Sequence, residues 1–561
     1  MSQEQNLPVG IAATDPGVGR STMPGILAEA VSRYGPAPWL TYGGETQSFA
    51  DLGQWTDAIA AALLAAGVDH DDGVALFMGN RFEWMQVQLG IALSGAWMVP
   101  LNTWLRTTEL THVLGSSGCR VLIWDSAVLG QDMRPLLQAL VPELDDAGPG
   151  AWRSGAFPRL EIVVGVGDGP WPRGVTPWDD FLQRADEIDA SAVGARAGEV
   201  GPESTGLVIY TSGTTGVPKG AMLTHTGIVD HMREWTRHMR LGPHDRSIMA
   251  SPLFWVFGCT MNTMVPLLAG SMTVLEERFA AARFLADLEE HGCTHLQGVP
   301  EQYELALNHA DAARRDLSTL RVVQIGGSKT VADLALRIRD RAPDARMLAA
   351  YGLTEAVGVN TWTEFDDPFE LLGTSIGHAS PDNEVMLRDP VTLEEVAVGE
   401  LGEICIRGHH VSRGYIDNPE ATAETFVDGW LRTGDLARAD DDGYFTIAGR
   451  RSHTYKRGGM NVYPAETEVL LGTHPDVERA AVVGVPDARL GEVGAAFVVL
   501  AEGTSVTAGE LLEWADGKLA RYKLPAHIRV VESLPVTASG KVRKFELQQR
   551  WSEESAEAPP G

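Results

Sequence analysis

The chain has 561 residues, 44% of them hydrophobic and 21% charged, so it can bury a large core and is expected to form more than one domain. Its 75 acidic against 45 basic residues give a formal net charge of -30, which argues against nucleic acid or an anionic membrane as the main partner. The cysteines, Cys119, Cys259, Cys293 and Cys405, form no CxxC pair and no metal-ligand cluster, which points to reduced thiols in the cytoplasm.

Residues 1–24 carry no basic region followed by an apolar stretch, so they read as a flexible terminus rather than a signal peptide. "SFADLGQWTDAIAAALLAAGV" follows as an amphipathic helix, with Leu52, Trp55, Ile59 and Leu63 at helical spacing. Ser48 with Asp51 predicts a capping box, and Gly67 a stop. "GVALFMGN" reads as a strand. "VQLGIALSGAWMVPL" is too short and interrupted to span a bilayer and reads as a buried helix leading into a strand. Short strands recur in "LEIVVGVG", "GLVIYTSG", "SMTVLEE", "THLQGVP", "RVVQIGG" and "RMLAAYG", mostly with helical patterns between them. This alternation predicts an α/β fold of mainly parallel sheets covered by helices, with ligands at the carboxyl ends of the strands. From about Gly399 the texture turns to β-structure, and from about residue 454 to a compact α+β mixture. The last ten residues, "SEESAEAPPG", lack core-forming content and are expected to be disordered.

"YTSGTTGVPKG", Tyr210 to Gly220, places glycines, hydroxyls and one lysine straight after an apolar strand. Such a loop offers backbone N–H groups and hydroxyls to phosphate oxygens, and Lys219 adds a charge. It is not a Walker loop, because a proline precedes the lysine and no Ser or Thr follows it.

In this order of residues the stretch resembles the phosphate-binding signature of the adenylate-forming superfamily, which includes acyl-CoA synthetases, firefly luciferase and peptide-synthetase adenylation domains. Further motifs follow in the family's order across roughly residues 25 to 550. The resemblance implies a large AMP-binding domain over 25–452 and a small mobile α+β domain over 453–551, followed by a 552–561 tail. It gives the phosphate role to Thr211, Ser212, Gly213, Thr214, Thr215, Gly216 and Lys219. In "YGLTE" it lays Tyr351 along adenine, sets Thr354 at the α-phosphate and makes Glu355 the Mg²⁺ ligand. In "IGGSKT" it makes Gly326, Gly327 and Ser328 a wall for the base. In "RTGD" it gives Asp435 the ribose hydroxyls, with Arg450 assisting. "PVTASGK" supplies Lys541 as the catalytic lysine.

The implied reaction has two halves. A carboxylate attacks the α-phosphorus of Mg·ATP to give acyl-AMP and pyrophosphate, and a thiol then attacks the acyl carbon and releases AMP. Lys541 would neutralise charge developing in the first half. Gly458 and Gly459 match the path of the coenzyme A pantetheine arm. Lys456 and Arg457 either draw in the anionic cofactor or remain a solvated pair.

Two positions depart from the pattern. The hinge position holds His453 where relatives carry Asp or Lys, which suggests a pH-dependent pivot. Trp255 stands where many relatives place a gating His; it is either a larger gate or core packing. The acyl pocket is expected around Trp255, Phe257, Gly258 and Cys259, around Gln297, Gly298 and Pro300, and around Ala356 to Asn360. The absence of an acidic residue in "SPLFWVFGCT" favours a fatty or aromatic acid over an amino acid. The acceptor stays open between CoA, a separate carrier protein and an unusual nucleophile such as nitrite. A silent nucleotide-binding protein is disfavoured by the intact Glu355, Asp435 and Lys541. The oligomeric state also stays open, a homodimer included.

Overall fold

The computed structural model describes residues 21–212, 217–327, 332–458, 460–487, 489–516, 518–536 and 542–557. The chain divides into two compact units. One comprises the residues up to Glu384 with Ile406–Leu431, the other Val385–Cys405 with Arg432 onward.

The larger unit is built on two sheets. The first has nine strands. Its centre is the parallel set Arg346–Tyr351, Val322–Gly326, His295–Gly298, Arg246–Met249 and Met272–Leu275, in that spatial order. The second has seven strands, parallel except for the antiparallel pair Thr205–Ser212 and Pro218–Thr224 at one edge. Both read as near-continuous apolar runs because both faces are covered. In the strand Gly73–Phe77, Val74 and Leu76 enter one core cluster while Ala75 and Phe77 enter another, as the two-residue period of a strand requires.

The first cluster joins inner faces of both sheets to the helices Phe49–Ala65, Phe82–Leu93, His225–His238 and Thr263–Ala269. The outer faces are covered by Thr107–Ser117 and Arg134–Leu140 on one sheet. On the other they are covered by Ala281–Glu290, Pro300–Asn308 and Ala332–Arg341. The unit is therefore five layers, helix–sheet–helix–sheet–helix, which is the α/β architecture expected. No described helix is long and apolar enough to cross a membrane.

The helix at Phe49 starts at the expected box: Ser48 Oγ accepts from the Asp51 N–H, and the Asp51 carboxylate accepts from the Ser48 N–H. Leu52, Ile59 and Leu63 are buried, but Trp55 is 38% exposed, so the apolar stripe is narrower than its spacing suggests. A helix begins inside the 1–24 stretch expected to be flexible. Thr22 caps a helix running from Met23 to Tyr34, and Met23 is buried. The last helix, Lys544–Glu557, runs six residues into the 552–561 segment expected to be disordered. All four cysteines are buried free thiols.

The smaller unit carries the antiparallel pair Val477–Asp487 and Gly491–Leu500, flanked by Tyr455–Arg457, His527–Val530 and the helices Pro464–Gly472 and Ala508–Ala515. This is the α+β mixture the sequence indicated. It also holds Arg450, which faces Asp435 across an antiparallel pair.

Candidate active site

In the larger unit, three adjacent parallel strands end at Gly298, Gly326 and Tyr351. Carboxyl ends of parallel strands leave backbone groups unpaired and face the loops, so ligands bind there. The hydroxyl- and glycine-rich stretch behaves differently from a strand-to-helix phosphate loop. Thr205–Ser212 returns immediately as Pro218–Thr224, with Ser212 opposite Pro218. The two strands are the antiparallel arms of a hairpin. Thr211 and Lys219 are a cross-strand pair, and Gly213, Thr214, Thr215 and Gly216 lie outside the described residues, as does Ser328.

After Tyr351 the chain folds back on itself. A Cβ on Gly352 would sit 2.2 Å from the Gly358 carbonyl oxygen, so only glycine permits this approach. Thr354–Ala356 forms a single tight helical turn, and Val357 follows with φ of 60°, a left-handed conformation costly for a β-branched residue. The turn presents Glu355. Its Oε1 accepts from Thr211 Oγ1 at 3.1 Å and from Tyr415 OH at 2.9 Å. The Ser412 N–H donates to the Glu355 carbonyl at 2.8 Å. Among the described residues no Lys, Arg or His forms an ion pair with this carboxylate. Lys219 Nζ lies 5.5 Å from the centre of the Tyr415 ring. Burial, followed by the neighbouring Glu355 charge, drives the Tyr415 phenol well above its ordinary pKa, so it stays a donor.

Ser412 and Tyr415 were not among the expected residues. They belong to "VSRGYIDNP", which joins the Pro218–Thr224 strand through Met222 N–H to the Gly414 carbonyl and Ile416 N–H to the Gly220 carbonyl. The short Gly-Tyr sequence gave no local hint of a contact with Glu355.

The expected acyl segment around Trp255 to Cys259 follows a turn at Pro252. Asn80 clamps this turn, donating to the Ser251 and Glu276 carbonyls and accepting from the Leu253 N–H. A Cβ on Gly258 would lie 2.4 Å from the Pro252 carbonyl oxygen, so Phe254 to Gly258 doubles back tightly before the wide turn Phe257–Asn262. Trp255 is half-buried and packs edge-to-face on Trp104, with ring centres 5.1 Å apart, and on Phe254 at 5.5 Å. Phe254 and Trp104 close the triad at 5.4 Å, and Trp104 is 37% exposed. Trp255 is thus part of a surface-reaching aromatic group rather than core filling, and Trp104 is the partner sequence reading missed. Two expected polar pocket residues are committed to the core. Gln297 Oε1 accepts from Trp235 Nε1, and the Asn360 amide donates to the Ala356 carbonyl.

In the smaller unit, Asp435 is nearly buried. Arg450 holds it bidentately, Nε to Oδ1 at 2.7 Å and Nη2 to Oδ2 at 3.3 Å. The turn before it is fixed by Glu403, whose Oε1 accepts from the Gly434 N–H while Arg432 and Arg451 compensate its other oxygen. Glu403 is wholly buried, and the sequence gave no sign of its role. His453 sits in a short turn, Arg451–His453. Burial first, then the charges of Lys544 and Arg450, push its pKa down to about 4, so its ring is neutral at physiological pH. Any pH dependence that His453 brings to this turn therefore falls in the acid range. Arg457 donates to the carbonyls of Arg521, Tyr522 and Leu524, a staple rather than a solvated cation. Lys456 is exposed, and Gly458 has φ of 56° beside it. Gly459 and Lys541 lie outside the described residues.

Residues 27–416 match the family described as AMP-binding enzyme, and residues 466–541 match its C-terminal domain. A CoA ligase from Rhodococcus jostii named for a methyl-dioxo-octahydroindenyl propanoyl group is 35% identical, over 94% of this chain and 98% of its own. A feruloyl-CoA synthase from Amycolatopsis is 35% identical over 91% and 95%. The crystal structure of the anthranilate CoA ligase AuaEII in complex with anthranoyl-AMP superposes with a TM-score of 0.82 at 26% identity, covering 98% of this chain and 99% of that one. The chain belongs to the AMP-binding enzymes of the adenylate-forming superfamily, as an AMP-forming acid–thiol ligase of the acyl-CoA synthetase type.

Proposed function

We propose that the chain activates an aromatic or alicyclic carboxylic acid as its acyl-adenylate and transfers the acyl group to coenzyme A. Ligation with ATP and CoA through an acyl-adenylate is the reaction of this family. The observation that carries the residue roles is Glu355, a carboxylate at the strand ends that receives two hydroxyl hydrogen bonds and no ion pair among the described residues. Its surroundings are carboxylate, Thr and Tyr oxygens, a donor set suited to a hard cation, so Mg²⁺ fits here. Glu355 would hold the ion, which would supply positive charge to offset the charge developing in the displacement.

The chain's own groups do the rest. Thr211 and Tyr415 fix the rotamer of Glu355. Thr211, Ser212, the loop Gly213–Gly216 and Lys219 receive the phosphates. Tyr351, Gly326, Gly327 and Ser328 take the adenine, and Thr354 reaches the α-phosphate. Arg450 orients Asp435 for two ribose hydroxyls by fixing the plane of its carboxylate. Lys541 offsets charge at the α-phosphoryl group. The small domain, 453–551, pivots at His453, and Lys456, Gly458 and Gly459 line the pantetheine path. Trp104, Phe254 and Trp255, together with Phe257, Gly258 and Gly298, select a flat or fused ring through edge-to-face contacts. The indenyl and anthranilate relatives support that acid class.

The test is ATP–pyrophosphate exchange against aromatic, alicyclic, medium-chain fatty and amino acids, followed by addition of CoA. Exchange strongest with ring-bearing acids, then thioester, fits the proposal. A preference for straight-chain acids overturns the acid class. Exchange without thioester would pass the acyl group to a carrier protein or another nucleophile.

A further inference from the structure

Behind the Glu355 turn lies a buried group that the reaction itself does not use. His231, on the helix His225–His238, sends Nδ1 to Asp382 Oδ2 at 2.7 Å and Nε2 to the Val359 carbonyl. Both ring nitrogens of His231 are thus taken by oxygen partners, one from a carboxyl group and one from the backbone. Burial raises the Asp382 pKa, but the hydrogen bonds from His231 and Ser380 and the His231 charge outweigh it and hold the carboxyl far below its usual range. His410 stacks on His231 with ring centres 4.0 Å apart and planes 7° apart. The Asn360 amide donates one proton to the Ala356 carbonyl and another to His410 Nε2, so His410 is the neutral Nδ1–H tautomer.

The three side chains lie close enough to suggest a metal site. The geometry speaks against one. Both ring nitrogens of His231 already face oxygen partners, and two parallel rings cannot both point in-plane lone pairs at a single ion.

What the group does is hold the chain just after Glu355. His231 grips Val359, Asn360 closes on Ala356 and Tyr351, and the Ser412 N–H, two residues past His410, grips the Glu355 carbonyl. Between these points sits Val357 in its left-handed conformation. A strained residue persists only where its surroundings over-determine it.

We propose that His231, Asp382 and His410 form a positioning device that holds the strained Val357 turn closed and so aims the Glu355 carboxylate at the nucleotide's metal. The proposal rests on the metal role of Glu355. Groups that orient a ligand in this way typically change metal affinity by roughly tenfold or more when lost.

Two conservative variants separate positioning from general packing. His231→Gln places an amide donor near the Nε2 position and keeps the grip on Val359; His231→Asn places one near Nδ1 and loses it. Amide hydrogen exchange over residues 351–362 and the Mg²⁺ dependence of ATP–pyrophosphate exchange are then read on both. The expected result is faster amide exchange and a roughly tenfold higher Mg²⁺ requirement in His231→Asn, with His231→Gln close to the parent. Equal effects in the two variants, or unchanged amide exchange in His231→Asn, overturn the device. If amide exchange separates the variants while Glu355→Gln leaves the Mg²⁺ requirement unchanged, the turn is held as proposed, and it is the metal role of Glu355 that fails.

Discussion

Two carboxylates anchor the two units, and they are held in opposite ways. Glu355 receives hydroxyl donors from Thr211 and Tyr415, which orient it, and among the described residues no basic side chain pairs with its charge. Asp435 is gripped by the Arg450 fork, which fixes its plane and cancels its charge. A charge left open suits a cation, and a charge already balanced suits neutral hydroxyls, whose hydrogen bonds need geometry more than field. The same functional group is thus specialised by its neighbours.

The comparison breaks most directly at Glu355. Glu355→Ala is expected to lower acyl-AMP formation by roughly a hundredfold or more, with part of the loss recovered at high Mg²⁺. Steady-state exchange over a Mg²⁺ titration checks this, and an unchanged metal requirement would remove the contrast. Asp435→Ala should act differently, raising KM for ATP by roughly tenfold while leaving the Mg²⁺ midpoint in place. A 2′-deoxy-ATP comparison sharpens it: the variant should discriminate against the deoxy nucleotide less than the parent does. Tyr415→Phe removes one hydroxyl from Glu355 and leaves the ring under Lys219. Its expected effect is smaller, about a three- to tenfold rise in the Mg²⁺ requirement, the scale of one neutral hydrogen bond.

What the sequence could show follows the range of the forces involved. Local chemistry was legible: the Ser48 capping box and the apolar strands of the buried sheets. Each depends on residues a few positions apart. Trp55 misled because spacing alone does not say how wide a helix face is buried. The hairpin at Ser212 and Pro218 was missed as well, since strand–loop–strand and strand–loop–helix begin with the same residues. Glu403, Tyr415, Trp104 and the His231–Asp382–His410 group act across tens to hundreds of positions. Each is an ordinary residue until the fold supplies its partner.

The smallest effect joins the two halves of the comparison through Arg450. This guanidinium holds Asp435 and also, with burial and Lys544, depresses His453 to a pKa of about 4. An unfolded His titrates near 6.5. Between these values the unfolded chain binds a proton that the folded chain refuses, so stability falls as pH drops from about 6.5 toward 4. Above 6.5 both states are neutral and His453 contributes no slope. His453→Gln should therefore match the parent in urea midpoint at pH 7.5 and lose less stability on acidification to pH 4.5. Removing the Asp435 charge exposes His453 to an uncompensated Arg450, so Asp435→Asn should lower the His453 pKa further and steepen the acid slope. Proton-detected NMR titration of His453 in the two proteins reads this directly. A parent value near 6.5, or a rise in Asp435→Asn, would show that the Arg450 charge is screened from the hinge position and that the balance at Asp435 stays local.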